Sequence, residues 1–391
     1  MERTDVKEMN LGRQAFVEKV LRAAVRDGSA VACWRLPSQD TSQLLISNGP
    51  LRKQQEITLE ELPGGFVVAP FDPRKEKYFL PADHLLSFST GAATIQVPES
   101  GWFSKILEHA PAHGAPYYPS PATLDSAANP YEHLVEKSLV LIGQGVAEKI
   151  VPSRSKTVAL PPGFQPAALF DQLCSRYPHA MVSLISTPET GTWIGATPEL
   201  LVSVDDNQIF RTVALAGTQP YVEGTDLKNI AWTQKDIEEQ ALVERYIISC
   251  LKKIRVREFD EIGPKTSVAG NLMHLKTEFT IDMGAINFPQ LGSVMLKLLH
   301  PTSAVCGSPL EVALDFLTSQ EGYDRQLYAG YLGPVNLQQR TSLFVNLRCL
   351  RLQAHTATLF AGAGVTSDSQ PAKEFEETEM KMNTLLKHLQ V

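Results

Sequence analysis

Between Leu359 and Lys381 the sequence passes through three textures in quick succession, and their order leaves few ways to fold. The run Leu359-Phe360-Ala361-Gly362-Ala363-Gly364-Val365 is apolar with alternating glycines, and Glu374-Phe375-Glu376-Glu377-Thr378-Glu379-Met380-Lys381 is acidic and amphipathic. This predicts a strand, a tight loop and a helix. Glu374 and Glu377 are then one turn apart with Lys381 one turn further on, so all three project from one helix face near the glycine loop. Such pairs commonly decorate a solvated surface, so other parts of the chain must supply the reason for them to share a site.

The chain is long enough to bury a large core, as one big domain or two: 391 residues, 43% of them hydrophobic. Lysine and arginine total 36 against 43 acids, a net charge of -7, which argues against a nucleic-acid surface and against attraction to anionic lipid. A small-molecule partner is expected instead. The start, Met1-Glu2-Arg3-Thr4-Asp5-Val6-Lys7-Glu8, is charged and lacks the apolar core of a signal peptide, and no run of 18 apolar residues occurs, so a cytoplasmic protein is expected. Cys33, Cys174, Cys250, Cys306 and Cys349 are scattered and form no CxxC, which suits reduced thiols. The histidines are also dispersed, so any metal would be held by oxygen ligands and would be magnesium-like.

In chain order, residues 11 to 26 carry apolar positions at helical spacing and Ala30-Val31-Ala32-Cys33-Trp34 suits a strand. Gly64 to Ala69 predicts a second strand, stopped by Pro70 and followed by an Asx-type turn at Asp72. Five prolines between Ala110 and Pro130 predict an exposed connection. It separates an N-terminal part, 1–120, from a core, 121–391, within what is expected to be one structural domain. Tyr131 to Gly145 has a helical pattern, and a strand follows near Lys149-Ile150-Val151. Val182-Ser183-Leu184-Ile185 and Thr192-Trp193-Ile194-Gly195-Ala196 suit neighbouring strands; Phe210 to Thr218 suits another that ends in a turn at Gly217. A long helix is predicted from Trp232 to Ile254. Like the C-terminal helix, it sets two acids, Asp236 and Glu239, one turn apart.

Two helices with two acids each make an oxygen cage for one divalent cation. Magnesium keeps several waters and takes few carboxylates directly, so Glu239 and Glu377 suit ligation with Asp236 and Glu374 just outside. Lys149 lies in a short apolar strand and Glu199 follows Ala-Thr-Pro at the start of an extended run. Burial lowers a lysine pKa and raises a carboxyl pKa, so such a pair can serve as base and acid near neutral pH. No Walker, Rossmann or Ser-His-Asp signature competes.

Several stretches taken together resemble the chorismate-utilising enzymes, and within them the isochorismate synthases. They are Pro70-Phe71-Asp72-Pro73, Glu148-Lys149-Ile150-Val151-Pro152-Ser153-Arg154, Gly195-Ala196-Thr197-Pro198-Glu199, Leu215-Ala216-Gly217-Thr218 and Lys235-Asp236-Ile237-Glu238-Glu239-Gln240. His274, the segment from Leu299 to Gly307, Asp324-Arg325, Asn346-Leu347-Arg348-Cys349 and the C-terminal stretch follow in family order. The resemblance implies an α+β fold, a large two-sheet β-sandwich core flanked by helices with the active site between the sheets. It implies Mg2+-dependent conversion of chorismate to isochorismate, for menaquinone synthesis or for a siderophore or salicylate pathway. By the same resemblance Lys149 is the base that activates water and Glu199 the acid. Glu239 and Glu377 are the magnesium ligands, with Asp236 and Glu374 beside them. Arg348 and Lys381 face substrate carboxylates, helped by the backbone at Gly217, Gly362 and Gly364, while His274 faces the ring.

Three positions set the subfamily. Amine-adding relatives usually carry glutamine where this chain has Lys149, aminodeoxychorismate synthases carry lysine where it has Leu215, and salicylate synthases tend to carry threonine where it has Val305. Each points to isochorismate as the product. Gln240, Ile237 and Ala329 depart from the usual histidine, arginine and glycine, which bears on substrate affinity more than on the reaction class. The rivals are a salicylate synthase or other chorismate enzyme, and a non-catalytic chorismate-binding relative. With no heptad pattern, a monomer is expected.

Overall fold

The structure, a computed structural model, describes residues 6–9, 12–89, 95–98, 115–120, 131–269 and 272–389. Two large antiparallel sheets make up its centre. The first has eight strands in the order Ser153–Ala159, Thr356–Gly362, Cys349–Leu352, Gly191–Thr197, Met181–Thr187, Ala30–Arg35, Thr41–Ser47 and His84–Ser89. The second has nine: Asp260–Ala269, Leu272–Asp282, Ile209–Pro220, Leu200–Val204, Thr341–Val345, Tyr331–Val335, Gly65–Ala69, Lys77–Pro81 and Arg52–Gln54.

Alternation along the first sheet divides its side chains between two cores. Ala32, Trp34, Ile185, Trp193 and Phe360 join Phe66, Phe79, Phe210 and Leu343 of the second sheet in one cluster, and the Trp34 and Phe66 rings meet at 5.0 Å across the gap. Val31, Cys33, Leu184, Ile194 and Leu359 point the other way, onto Phe16 and Leu21 of the helix Arg13–Asp27, Phe170 of Pro166–Arg176 and Met382 of Pro371–Leu386. Because both faces are covered, Met181–Thr187 and Gly191–Thr197 are buried at every position. Their polar members, such as Ser186 and Thr192, bond to each other at 2.7 Å. The helices Gln234–Lys253 and Leu291–Leu299 cover the second sheet through Val243, Ile247, Leu291 and Met295. This is the expected α+β sandwich flanked by helices.

Two expectations need correction. The proline-rich connection was placed at the surface, and most of it lies outside the described residues; within residues 115–120, however, Tyr117 is buried and the Tyr118 hydroxyl donates to the Ala24 carbonyl at 2.7 Å. Tyrosine hydroxyls find carbonyl acceptors there, and the prolines alone do not decide exposure. The strand around Gly217 does not end at that glycine. It continues to Pro220, with the pairing to Leu272–Asp282 slipping between Ala216 and Gln219. Gly217 has φ +65°, the left-handed conformation that glycine adopts without a Cβ clash, and a bulge needs it as much as a turn does.

Candidate active site

Among the described residues, two of the steps from one large sheet to the other each carry a charged residue of the candidate site. Glu199 lies in the step from Gly191–Thr197 to Leu200–Val204; Arg348 lies in the step back from Thr341–Val345 to Cys349–Leu352. The crossings are stitched together: Val345 N donates to the Glu199 carbonyl at 3.0 Å, Ala196 N to the Arg348 carbonyl at 3.0 Å, and the Thr197 hydroxyl to the Val345 carbonyl at 2.6 Å. Arg348 holds φ +45°, a strained conformation for an arginine that the surrounding ladder imposes.

Glu199 is buried, and its environment pushes its carboxyl up to about 7. Desolvation is the main cause, opposed by the charges of Arg348 and Lys149 and by the Thr302 hydroxyl, 3.4 Å from its Oε1. Lys149 has no exposed surface and stands on the two-residue strand Lys149–Ile150, outside both large sheets. That strand pairs with Gly307–Ser308 and is bridged by Ile150 to Val365. Lys149 Nζ lies 2.8 Å from Glu239 Oε1. Burial works against the charged form of Glu239, but Lys149, Lys235 and Lys381 together outweigh it and hold this carboxyl below its ordinary value.

The two acid-bearing helices meet where Lys235 reaches Glu374. Lys381 Nζ donates to Glu377 Oε1 at 2.6 Å and to the Gly362 carbonyl at 2.9 Å. Glu374, 1% exposed, takes a bond from Lys235 Nζ at 2.5 Å; its Oε2 is buried without a well-formed hydrogen bond among the described residues, with the Ser369 hydroxyl close by. Burial and the nearby Glu377 raise its carboxyl against the pull of Lys235. Lys235 in turn is raised despite burial because Glu374, Glu377 and Glu239 all act on it. Asp236 stands differently. It closes a capping box, accepting from the Thr233 N–H at 3.2 Å and hydroxyl at 2.6 Å through Oδ2, while Oδ1 faces Gly217.

His274 is buried on the strand Leu272–Asp282, with Nδ1 2.7 Å from the Gly217 carbonyl. A carbonyl only accepts, so Nδ1 carries the proton and the lone pair on Nε2 faces Arg348 Nη2 at 3.5 Å. Burial, then the Arg348 charge, pushes this imidazole down to about 3, so it is neutral. The glycines act by absence. A Cβ at Gly364 would strike the Glu239 carboxylate and come within 2.9 Å of Lys149 Cε, and one at Gly362 would lie 2.7 Å from the Pro152 carbonyl. Val305 is buried in the turn after Thr302.

The residues given catalytic, substrate or metal roles in the sequence are therefore linked by contacts around Glu199, Lys149 and Arg348, although among the described residues the four acids do not gather into one cluster. Two neighbours that the sequence analysis gave no role are Lys235, which precedes Asp236 in a quoted motif, and Thr302, which sits in the His300-Pro301-Thr302 segment. Their signal was position within a motif; their partners, Glu374 and Glu199, are far away in the chain.

A family profile described as chorismate binding enzyme matches residues 101–390. Isochorismate synthase EntC of Escherichia coli (strain K12) is 26% identical over 328 residues, 81% of this chain and 78% of that protein. Isochorismate synthase DhbC of Bacillus subtilis (strain 168) is 30% identical over 274 residues, 67% and 68% of the two chains. Among solved structures, a putative 2,3-dihydroxybenzoate-specific isochorismate synthase of Bacillus anthracis superposes with a TM-score of 0.73 at 25% identity, covering 95% of this chain and 99% of the other. With that profile matched over most of its length, this chain belongs to the chorismate-binding enzyme family.

Proposed function

We propose that the protein is an isochorismate synthase: it binds chorismate between the sheet crossings, adds water to one ring carbon and releases the neighbouring allylic hydroxyl as water. The observation that carries this reading is the buried Glu199, a carboxyl brought close to neutral pH beside the cations Lys149 and Arg348. In this mechanism Lys149 takes a proton from the attacking water and Glu199 gives one to the departing oxygen, so protons balance over the cycle. Arg348, Lys381 and the backbone at Gly217, Gly362 and Gly364 meet the substrate carboxylates, and the neutral His274 faces the ring.

Mg2+ fits the donors present. They are hard carboxylate oxygens, one of them the weakly satisfied Glu374 Oε2, and their charge is balanced by lysines in the protein alone. Among the described residues no three such side chains form one metal cluster. Glu239 and Glu377 would hold it, with Glu374 and Asp236 outside. Bound there, it would neutralise substrate carboxylate and leaving-group charge.

Incubation of the purified protein with chorismate and Mg2+, followed by chromatography, is expected to give isochorismate without pyruvate. Pyruvate release would make it a salicylate synthase, and binding without conversion would make it a non-catalytic relative. Lys149→Ala is expected to abolish nearly all turnover in a folded protein. Supply of menaquinone synthesis is the pathway role proposed, so deletion of the gene should deplete menaquinone and leave catechol siderophores unchanged.

A further inference from the structure

Two segments that recur in family order carry no role in the reaction above: Asp324-Arg325 and Pro70-Phe71-Asp72. They meet at one buried guanidinium. Arg325 is 3% exposed and Glu321 6%, and they form a two-pronged pair, Nε to Oε2 at 2.8 Å and Nη2 to Oε1. Two further donors go to backbone carbonyls. Nη2 donates to Val151 O at 2.7 Å and Nη1 to Val305 O at 2.9 Å. Glu321 Oε1 also accepts from Ser153 N at 2.7 Å and from its hydroxyl at 3.0 Å. Phe71 covers the guanidinium at 4.2 Å, which seats the Pro-Phe-Asp stretch against the Asp324-Arg325 segment.

What this pair holds is the support of Lys149. The ribbon of Lys149–Ile150 with Gly307–Ser308 has two residues a side and belongs to neither large sheet. An isolated ribbon of that length has little stability of its own. At its open end Val151 N donates to Cys306 O at 2.9 Å, while the carbonyls of Val151 and Val305 are taken by Arg325. A buried ion pair is weak grounds for stability, since apolar replacements are often as stable, but it fixes geometry closely. We propose that Arg325 and Glu321 form a clamp that positions Lys149 and Val305 in the active site, acting through the backbone of residues 151–153 and 305 and touching no substrate.

This rests on the reading of Lys149 as the base. The test uses Arg325→Lys, Arg325→Ala, and the double variant Glu321→Gln/Arg325→Met, which removes both buried charges together. With chorismate and Mg2+, kcat is expected to fall about 10- to 100-fold from misplacement of the base, with KM within about threefold. Guanidinium ion should restore part of the lost kcat in Arg325→Ala and none in Lys149→Ala. Amide hydrogen exchange should rise at residues 149–153 and 305–308 and stay unchanged in the strands Met181–Thr187 and Gly191–Thr197. Arg325→Lys and the double variant turning over within about twofold of the parent would overturn the clamp. A rise in exchange spread over the whole fold, with kcat and KM worsening together, would reduce it to general stability. If the parent protein does not convert chorismate, the proposed activity fails while the exchange pattern still decides whether the clamp exists.

Discussion

Glu199 gives the site its most direct pH dependence. Its carboxyl, raised to about 7 by burial, is protonated below that pH, so the acid it supplies is present there and lost above it. The kcat of the parent should fall as pH rises through about 7. Glu199→Gln should lower kcat about 10²- to 10⁴-fold and remove that limb from the pH profile. Stability carries the same sign. The native state keeps a proton that the unfolded chain releases between its ordinary 4.5 and about 7, so stability declines as pH rises through that window, a decline that thermal denaturation of Glu199→Gln should lack. Ala329 gives a second residue-scale expectation. It occupies the glycine position noted in the sequence, with φ +59° and no exposed surface, so Ala329→Gly should raise stability by up to about 1 kcal/mol in chemical denaturation. The candidate site residues were legible through the family resemblance, since spacing alone also suits a solvated helix face. Their pairings were not: nothing local says that Lys149 meets Glu239, or Lys235 meets Glu374, across a hundred residues.

At the scale of elements, the strand, loop and helix expected at the C-terminal stretch are Thr356–Gly362, residues 363–370 and Pro371–Leu386. The loop runs so close to the site that Gly364→Ala should displace Glu239 and Lys149. Turnover is expected to drop, with a stability loss of about 1–3 kcal/mol from overpacking, read by kcat and thermal denaturation together. The helix expected from Trp232 begins at Gln234, behind a Thr233 cap that sets Asp236 in its first turn. Loss of that cap in Thr233→Ala should cost about 1 kcal/mol. Gly217 was misjudged for a physical reason. Positive φ marks turns and bulges alike, and the strand runs on because Leu272–Asp282 is there to pair with it, information that no stretch around Gly217 contains.

For the whole molecule, the two-sheet sandwich was legible through the resemblance more than through periodicity. Strands buried on both faces lose the alternation that would reveal them, as Met181–Thr187 does. Their central packing makes a large indole costly to remove. Trp193 stacks on Phe360 at 5.5 Å with 1% exposure, and Trp193→Ala should destabilise by about 3–5 kcal/mol in urea.

The order of the strands also governs how the protein is made. Thr356–Gly362 lies between Ser153–Ala159 and Cys349–Leu352, and Gly65–Ala69 pairs with Tyr331–Val335, so neither large sheet can close until residues far along the chain have left the ribosome. Until then a growing chain carries unpaired strand edges for more than half of its synthesis, with the slow, long-range folding that such pairings impose. Nascent chains stalled before Thr356 should be captured by chaperones and digested by protease, and resistance should appear only once the residues of Pro371–Leu386 are free to dock. Folding is therefore gated by Thr356–Leu386, the segment that carries Glu374, Glu377 and Lys381 and also completes the first sheet.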